Sequence, residues 1–170
     1  MSEARDKLLS LTALRYEAYP LLIEQMQQTV NAKGSDSIAL ILRCHLLTEA
    51  VLDKLLRLCL EPNGDTVLSA NLRYAQKLDI ASKCIFFEDY ELVPSYVVSS
   101  LRRLNELRNR LSHNLNAAIT REEALGLFQG IEHPMPFDKN SAEVSMLIYQ
   151  YTSFIFGSML PKYEAIEEDP

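Results

Sequence analysis

Glycine and proline are scarce in this chain, with only 5 glycines and 7 prolines among 170 residues. Long stretches therefore contain no residue that would break a helix. Apolar residues recur three and four positions apart along nearly the whole chain, which is the helical period, and no segment alternates strictly as a half-buried strand does. The sequence predicts an all-α fold, with residues 1–170 forming a single domain of about five to six helices.

Cysteine is also rare. Cys44, Cys59 and Cys84 form no CxxC pair, and their number is odd. This pattern argues against a zinc site or a disulfide framework. We expect reduced thiols in a cytoplasmic protein.

Long apolar runs and excess positive charge are both lacking. The longest strongly apolar stretch, IALIL at 38–42, ends at Arg43 and is far too short to span a membrane. The first residues are charged, unlike a signal peptide, so we expect no membrane partner. The net charge of -6 argues against coating nucleic acid through bulk charge, although it leaves room for a local basic site.

Capping residues and periodicity predict the order of the helices. Ser35 or Asp36 is suited to begin the second helix, and TREE has the form of a capping box that pairs Thr120 with Glu123. EPNGD at 61–65 reads as a loop, and FFEDYELVP as a connector or a short helix. The predicted helices cover about 3–31, 36–60, 69–84, 94–116 (ending at His113 or Asn116), 120–129 and 142–163.

The second helix is apolar almost all round, which is typical of the centre of a bundle. A polar stripe interrupts it where His45, Glu49, Asp53 and Arg57 recur every four residues. This stripe either faces water, with Glu49 and Arg57 in surface pairs, or lines a cleft. His45 and Glu49 could hold a metal by their spacing, but the sequence shows no third ligand. The alternative interpretation is that His45 lies behind His113 and supports it.

The stretch LNELRNRLSHNLN, residues 104–116, carries an unusual polar set at a helix end. On a helical wheel, Arg108 lies on the shoulder of the apolar face, whereas Asn109 and His113 lie nearly opposite that face. Arg108 and His113 are about 140° apart. They converge on one ligand only if the helix end loosens or a second subunit completes the site. The apolar face itself comprises Val97, Leu101, Leu104, Leu107, Leu111 and Leu115.

These side chains are chemically suited to phosphate. Histidine moves protons near neutral pH, and arginine clamps phosphate and stabilises developing charge. His113 and Arg108 would suffice for RNA cleavage without a metal or cofactor, with Asn109 assisting and Arg110 adding positive charge. The spacing alone also fits an ordinary solvated helix end.

LRRLNELRNRLSHN resembles the signature of the HEPN superfamily, in which Arg, a polar residue and, a few positions on, His end a late helix. Arg108, Asn109 and His113 match it. The resemblance implies a helical bundle that acts as a dimeric endoribonuclease in toxin–antitoxin or antiviral systems, with an antitoxin as a possible partner. Many toxin members carry tyrosine before the histidine. Here that residue is Ser112, which places the chain outside that subgroup.

Two other segments, LLTEAVLDKLLRLCL at 46–60 and residues 72–109, resemble the mannitol-operon repressor family. This resemblance implies the alternative function, a non-catalytic transcriptional regulator or partner-binding protein. Under the ribonuclease hypothesis, Arg108 binds the phosphate, His113 is the acid/base and Asn109 supports them. Glu49 would orient Arg108 or His113.

Overall fold

The computed structural model describes residues 36–87, 90–114, 117–131 and 143–159, together with 13, 20 and 24. These residues form an all-α bundle, which confirms the predicted fold class. The first predicted helix, at about 3–31, lies outside the described residues apart from Ala13, Pro20 and Glu24, which are helical. The described elements are α1 (Ser37–Cys59), α2 (Gly64–Leu68), α3 (Tyr74–Ala81), β1 (Ile85–Phe87), β2 (Tyr90–Glu91), α4 (Ser95–Ser112), α5 (Arg121–Gly126) and α6 (Val144–Met159).

Helix α1 is the centre of the bundle and packs against α2, α3, α4 and α6. It begins after Asp36, whose Oδ1 accepts a hydrogen bond of 2.9 Å from the backbone N–H of Ile38. It ends at Cys59, so its predicted bounds are confirmed within a residue or so. No helix among the described residues is long and apolar enough to cross a membrane. The apolar core that α1 contributes comprises Leu40, Ile41, Cys44, Val51, Leu52, Leu55 and Leu56.

Helices α4 and α6 are joined by a buried pair of hydroxyl groups. Ser100 Oγ donates to the carbonyl of Leu127 at 2.7 Å, and the Tyr151 hydroxyl lies 3.0 Å from the same Oγ. Burial raises the pKa of Tyr151 well above its usual value, so its hydroxyl remains a protonated donor. This contact also fixes the turn after α5, because Leu127 belongs to that turn.

The structure corrects the sequence prediction between 61 and 84. A helix, α2, begins inside the expected loop, because it packs closely on the last turn of α1. A Cβ at Gly64 would lie 2.6 Å from the Arg57 Cα atom, so only glycine fits there. The expected helix at about 69–84 is shorter, since Asn71 has a φ of 53° and α3 begins only after Arg73.

The sequence predicted that the segment FFEDYELVP is either a connector or a short helix, and the short helix is wrong. It is a short antiparallel hairpin in which Ile85 pairs with Glu91, not a short helix. The pairing is irregular between Ile85 and Phe87, and strands of 3 and 2 residues are too short to show an alternating pattern in the sequence. The three cysteines are free, with Cys44 buried and Cys59 and Cys84 half-buried.

The predicted capping box at the start of α5 is confirmed. Thr120 Oγ1 accepts from the backbone N–H of Glu123 at 3.2 Å, and Glu123 Oε2 accepts from the backbone N–H of Thr120 at 2.9 Å. Two donors that helix geometry leaves without partners are therefore satisfied. The helix ends at Gly126, before the expected end at about Gln129, and the chain continues as a turn.

We expect Thr120→Ala to lower the free energy of unfolding by about 1 kcal/mol, because the first turn of α5 loses its side-chain cap. In a chain of this size the melting temperature should fall by about 2–4 °C. Thr66→Ala is the matched control, since Thr66 is exposed on α2 and caps no helix. Equal melting temperatures for the two variants would show that the box does not stabilise the fold.

Candidate functional site

The end of α4 positions Arg108, Asn109 and His113. The predicted apolar face is confirmed, because Val97, Leu101, Leu104, Leu107 and Leu111 are all buried; Leu115 lies outside the described residues. These side chains fix the rotation of α4 about its own axis. The helix ends at Ser112, and His113 is its C-cap residue.

Arg108 and Asn109 lie together on the half-buried flank of this helix. Arg108 Nη1 donates to Asn109 Oδ1 at 2.9 Å, which holds the guanidinium along the helix surface. Ser112 Oγ donates to the carbonyl of Arg108 at 2.9 Å and so tightens the last turn.

His113 is exposed and points away from the bundle, as the helical wheel predicted. Within the described ranges, no hydrogen bond or ion pair joins its imidazole to Arg108 or to any other residue. Arg108 is instead half-buried, on the other side of the helix. One copy of the chain therefore brings Arg108 and Asn109 together but leaves His113 apart from them.

His45 lies behind Arg108, in the seam between α1 and α4. Its side chain is buried, with only 3% of the residue exposed, and its ring packs on Tyr74 with centroids 4.2 Å apart. Its Nε2 lies 3.1 Å from Oδ1 of Asn105, which is one helical turn before Arg108 and Asn109. The polar stripe of α1 therefore does not face water along its whole length.

The imidazole of His45 is held in its neutral form. Burial lowers its pKa, and the positive charges of Arg108 and Lys77 lower it further. The hydrogen bond to Asn105 and the charge of Glu49 act in the opposite direction but do not outweigh burial. A neutral ring beside Arg108 avoids placing two positive charges next to each other in a seam with little water.

The half-buried Glu49 and Asp53 form an ion-pair cluster with the buried Lys77 of α3. Lys77 Nζ lies 2.9 Å from Glu49 Oε1 and 2.8 Å from Asp53 Oδ1. Burial alone would lower the pKa of Lys77, but the hydrogen bonds to both carboxylates raise it. We expected Glu49 to orient Arg108 or His113. In the structure its carboxylate pairs with Lys77. The fourth member of the stripe, Arg57, is exposed and pairs with Asp65 at 2.9 Å.

Arg110 has a structural partner. Its Nη2 lies 2.7 Å from Glu123 Oε1 and donates to the carbonyl of Ala118 at 3.2 Å. The expected positive charge of Arg110 is thus balanced by Glu123, and the pair fastens α5 to the end of α4. In contrast, the guanidinium of Arg108 has no carboxylate within ion-pair distance among the described residues.

The sequence prediction missed Asn105, Tyr74 and Lys77. A signal for Asn105 was available, because it stands three and four residues before Arg108 and Asn109 and so shares their side of α4. Tyr74 and Lys77 gave no signal, since their place beside α1 depends on how α3 packs.

No group of three His, Cys, Asp or Glu side chains in the described part of the chain is arranged as a metal site.

The chain was compared with protein-family models, with curated proteins and with solved structures, and no match was found in any of them.

Lowering the pH should destabilise the fold through His45. The unfolded chain takes up a proton on this residue near pH 6.5, whereas burial lowers its pKa in the folded state. The unfolded state therefore binds more protons below pH 6.5, and the free energy of unfolding should fall by up to about 1.4 kcal/mol per pH unit. Urea unfolding between pH 7.5 and pH 5.5 measures this dependence.

His45→Gln is the matched variant, because glutamine keeps a polar side chain but cannot take up a proton in this range. It should lower stability at pH 7 and flatten the pH dependence. A variant that retains the full slope would show that another group causes it.

Proposed function

We propose that the chain is a metal-independent endoribonuclease that acts as a dimer, of the kind found in toxin–antitoxin or antiviral defence modules. The observation that supports this most is the state of Arg108. Its guanidinium is half-buried, held by Asn109, and has no carboxylate partner among the described residues. A cation left without a counterion beside a buried seam favours an anionic ligand such as phosphate.

The proposed reaction uses the 2′-hydroxyl of the RNA as the nucleophile. His113 accepts the hydroxyl proton while the 2′-oxygen attacks the adjacent phosphorus. Arg108 stabilises the extra negative charge on the phosphate oxygens, and Asn109 keeps the guanidinium in place. The bond to the 5′-oxygen breaks, and that oxygen takes a proton from the imidazolium. The products are a 2′,3′-cyclic phosphate and a 5′-hydroxyl.

A dimer accounts for the separation of the two main groups. Arg108 lies on the side of α4 that faces α1, whereas His113 is exposed beyond the helix end. Two leucines of α1 are exposed, Leu42 to 36% and Leu46 to 62%, and they stand beside the stripe that contains His45 and Glu49. In the proposed dimer a second copy covers these leucines, and His113 of the partner subunit completes the site at Arg108.

A second candidate function is a partner-binding regulator, like the mannitol-operon repressor proteins that parts of the chain resemble. The exposed pair Leu42 and Leu46 favours it, because such apolar positions also suit a different protein partner. In that case Arg108 and His113 would have no catalytic role. Cleavage assays separate the two candidates.

Replacing either proposed catalytic residue should abolish RNA cleavage. We expect Arg108→Ala and His113→Ala each to lower the cleavage rate by about 100-fold or more, since a phosphate clamp or a proton carrier is lost. Cleavage by the unchanged protein should survive EDTA and leave cyclic phosphate ends.

Arg102→Ala is the control, because Arg102 is an arginine of the same helix that pairs with Asp79 on the surface, at 2.7 Å. It should cut RNA at close to the original rate. Cleavage that persists in His113→Ala would place the activity elsewhere, and a chain that never cuts RNA would favour the regulator.

Mixing the two inactive variants tests whether the sites are shared between subunits. A mixed dimer of Arg108→Ala and His113→Ala retains one site with both groups if each site takes them from different subunits. With random pairing of equal amounts, the rate should recover to about a quarter of the original, on the assumption that intact sites act independently.

If Arg108 and His113 of the same chain form the site, each subunit of the mixed dimer lacks one group. The mixture would then remain as inactive as its components. Size-exclusion chromatography confirms that the variants dimerise and exchange subunits before the assay.

A further inference from the structure

A cavity of about 300 Å³ lies between α4 and α5, on the other side of α4 from His45. Its lining includes Leu107, which is 7% exposed, and the almost fully buried Leu127. The volume is at the lower end of the range for small-molecule sites and suits a single flat ring system. Arg108, Asn109 and His113 do not line this cavity, although α4 contributes residues to it.

Two of the charged groups that line the cavity neutralise each other. Arg110 pairs with Glu123 at 2.7 Å, which leaves Arg103 and Glu106 as the remaining charges of the lining. These two side chains stand three positions apart on α4, yet they form no ion pair with each other within the described residues. The cavity therefore presents a donor and an acceptor side by side.

Arg103 retains unused hydrogen-bonding capacity. One Nη2–H group donates to the carbonyl of Gln129, whereas its buried Nε–H has no acceptor among the described residues. The Nε–H has almost no accessible surface, so a ligand in the cavity would meet the Nη groups of the guanidinium. Glu106 is exposed and offers a carboxylate on the same cavity.

We propose that this cavity binds a guanine base of the RNA, an inference that rests on the proposed ribonuclease function. Guanine presents acceptors, O6 and N7, that arginine recognises with two donors. Its N1–H and N2–H groups are adjacent donors that suit a carboxylate. Adenine, cytosine and uracil lack this combination of a two-acceptor edge with two adjacent N–H groups. The apolar part of the lining, to which Leu107 contributes, would contact one face of the ring.

The position along α4 fits a base next to the cleaved phosphate. Arg110, at the end of the cavity, is three residues before His113, a rise of about 5 Å along the helix axis. Arg108 of the same chain lies on the opposite flank of α4, so in the proposed dimer the phosphate beside this cavity would be contacted by Arg108 of the partner subunit. The base would thus select where the strand lies while Arg108 and His113 act on its phosphate. Arg103 and Glu106 are specificity-determining residues in this arrangement.

Binding of the four nucleoside 5′-monophosphates to the full chain tests the inference, because they share the phosphate and differ in the base. NMR titration measures their dissociation constants. We expect 5′-GMP to bind about tenfold more tightly than 5′-AMP, 5′-CMP or 5′-UMP. Equal affinity for all four would overturn the proposal.

Filling the cavity provides the matched pair of variants. A Cβ at Gly126 meets no atom within 4 Å, so Gly126→Leu should place its side chain in the cavity and remove the preference for 5′-GMP. Gly157→Leu is the control, since Gly157 on α6 has equal free space but does not line the cavity. A preference for 5′-GMP that persists in Gly126→Leu would contradict the proposal.

The recognition of the base edge has its own test. Glu106→Gln should weaken 5′-GMP about tenfold and leave 5′-AMP unchanged, whereas Glu122→Gln, which alters an exposed glutamate of α5 outside the lining, should change neither. A 5′-GMP affinity unchanged in Glu106→Gln would contradict the role of the carboxylate.

His113→Ala separates this inference from the proposed function, because it should retain the preference for 5′-GMP while losing cleavage. If the unchanged protein prefers 5′-GMP but never cuts RNA, only the ribonuclease proposal fails. If it cuts RNA without preferring 5′-GMP, only the base site fails.

Discussion

The hydrogen bond between His45 and Asn105 is the contact on which the arrangement of the site depends. It joins the central helix α1 to α4 at 3.1 Å, between the buried His45 and the half-buried Asn105. A polar pair in this position restricts how α4 can rotate or slide along α1, since another register would leave the buried Nε2 of His45 without its partner. The Lys77 cluster with Glu49 and Asp53 fixes α3 beside the same seam.

The rotation of α4 then decides what each motif residue can do. Leu104, Leu107 and Leu111 face the core, so Arg108 is drawn towards the seam and His113 is left outside. A positive charge without a carboxylate partner is tolerated at Arg108 because the neighbouring imidazole is neutral and Asn109 accepts one of its hydrogen bonds. The same rotation directs Arg103 and Glu106 to the cavity beside α5. One helix thus carries a proposed phosphate site on one flank and a proposed base site on another.

Local patterns predicted the parts of the structure that local chemistry determines. The Asp36 cap, the Thr120 capping box and the apolar face of α4 follow from short-range rules, and each was predicted correctly. The close contact of Gly64 with Arg57 depends on packing between elements, so the short helix α2 was predicted as a loop. The environment of His45 also depends on packing. The spacing of His45 placed it on a polar stripe that either faces water or lines a cleft. Only the positions of α3 and α4 distinguish these two alternatives. The pairing of Arg110 with Glu123 could not be foreseen for the same reason.

The central claim is that a second copy of the chain completes the phosphate site. A crystal structure of the protein with an RNA whose 2′-oxygens are methylated, and which therefore cannot be cleaved, tests it most directly. The account predicts a two-fold dimer in which Arg108 of one protomer contacts a phosphate, and His113 of the partner subunit lies within about 3 Å of the neighbouring 2′-oxygen. A monomer, or a dimer that leaves His113 in solvent away from any phosphate held by Arg108, would contradict it.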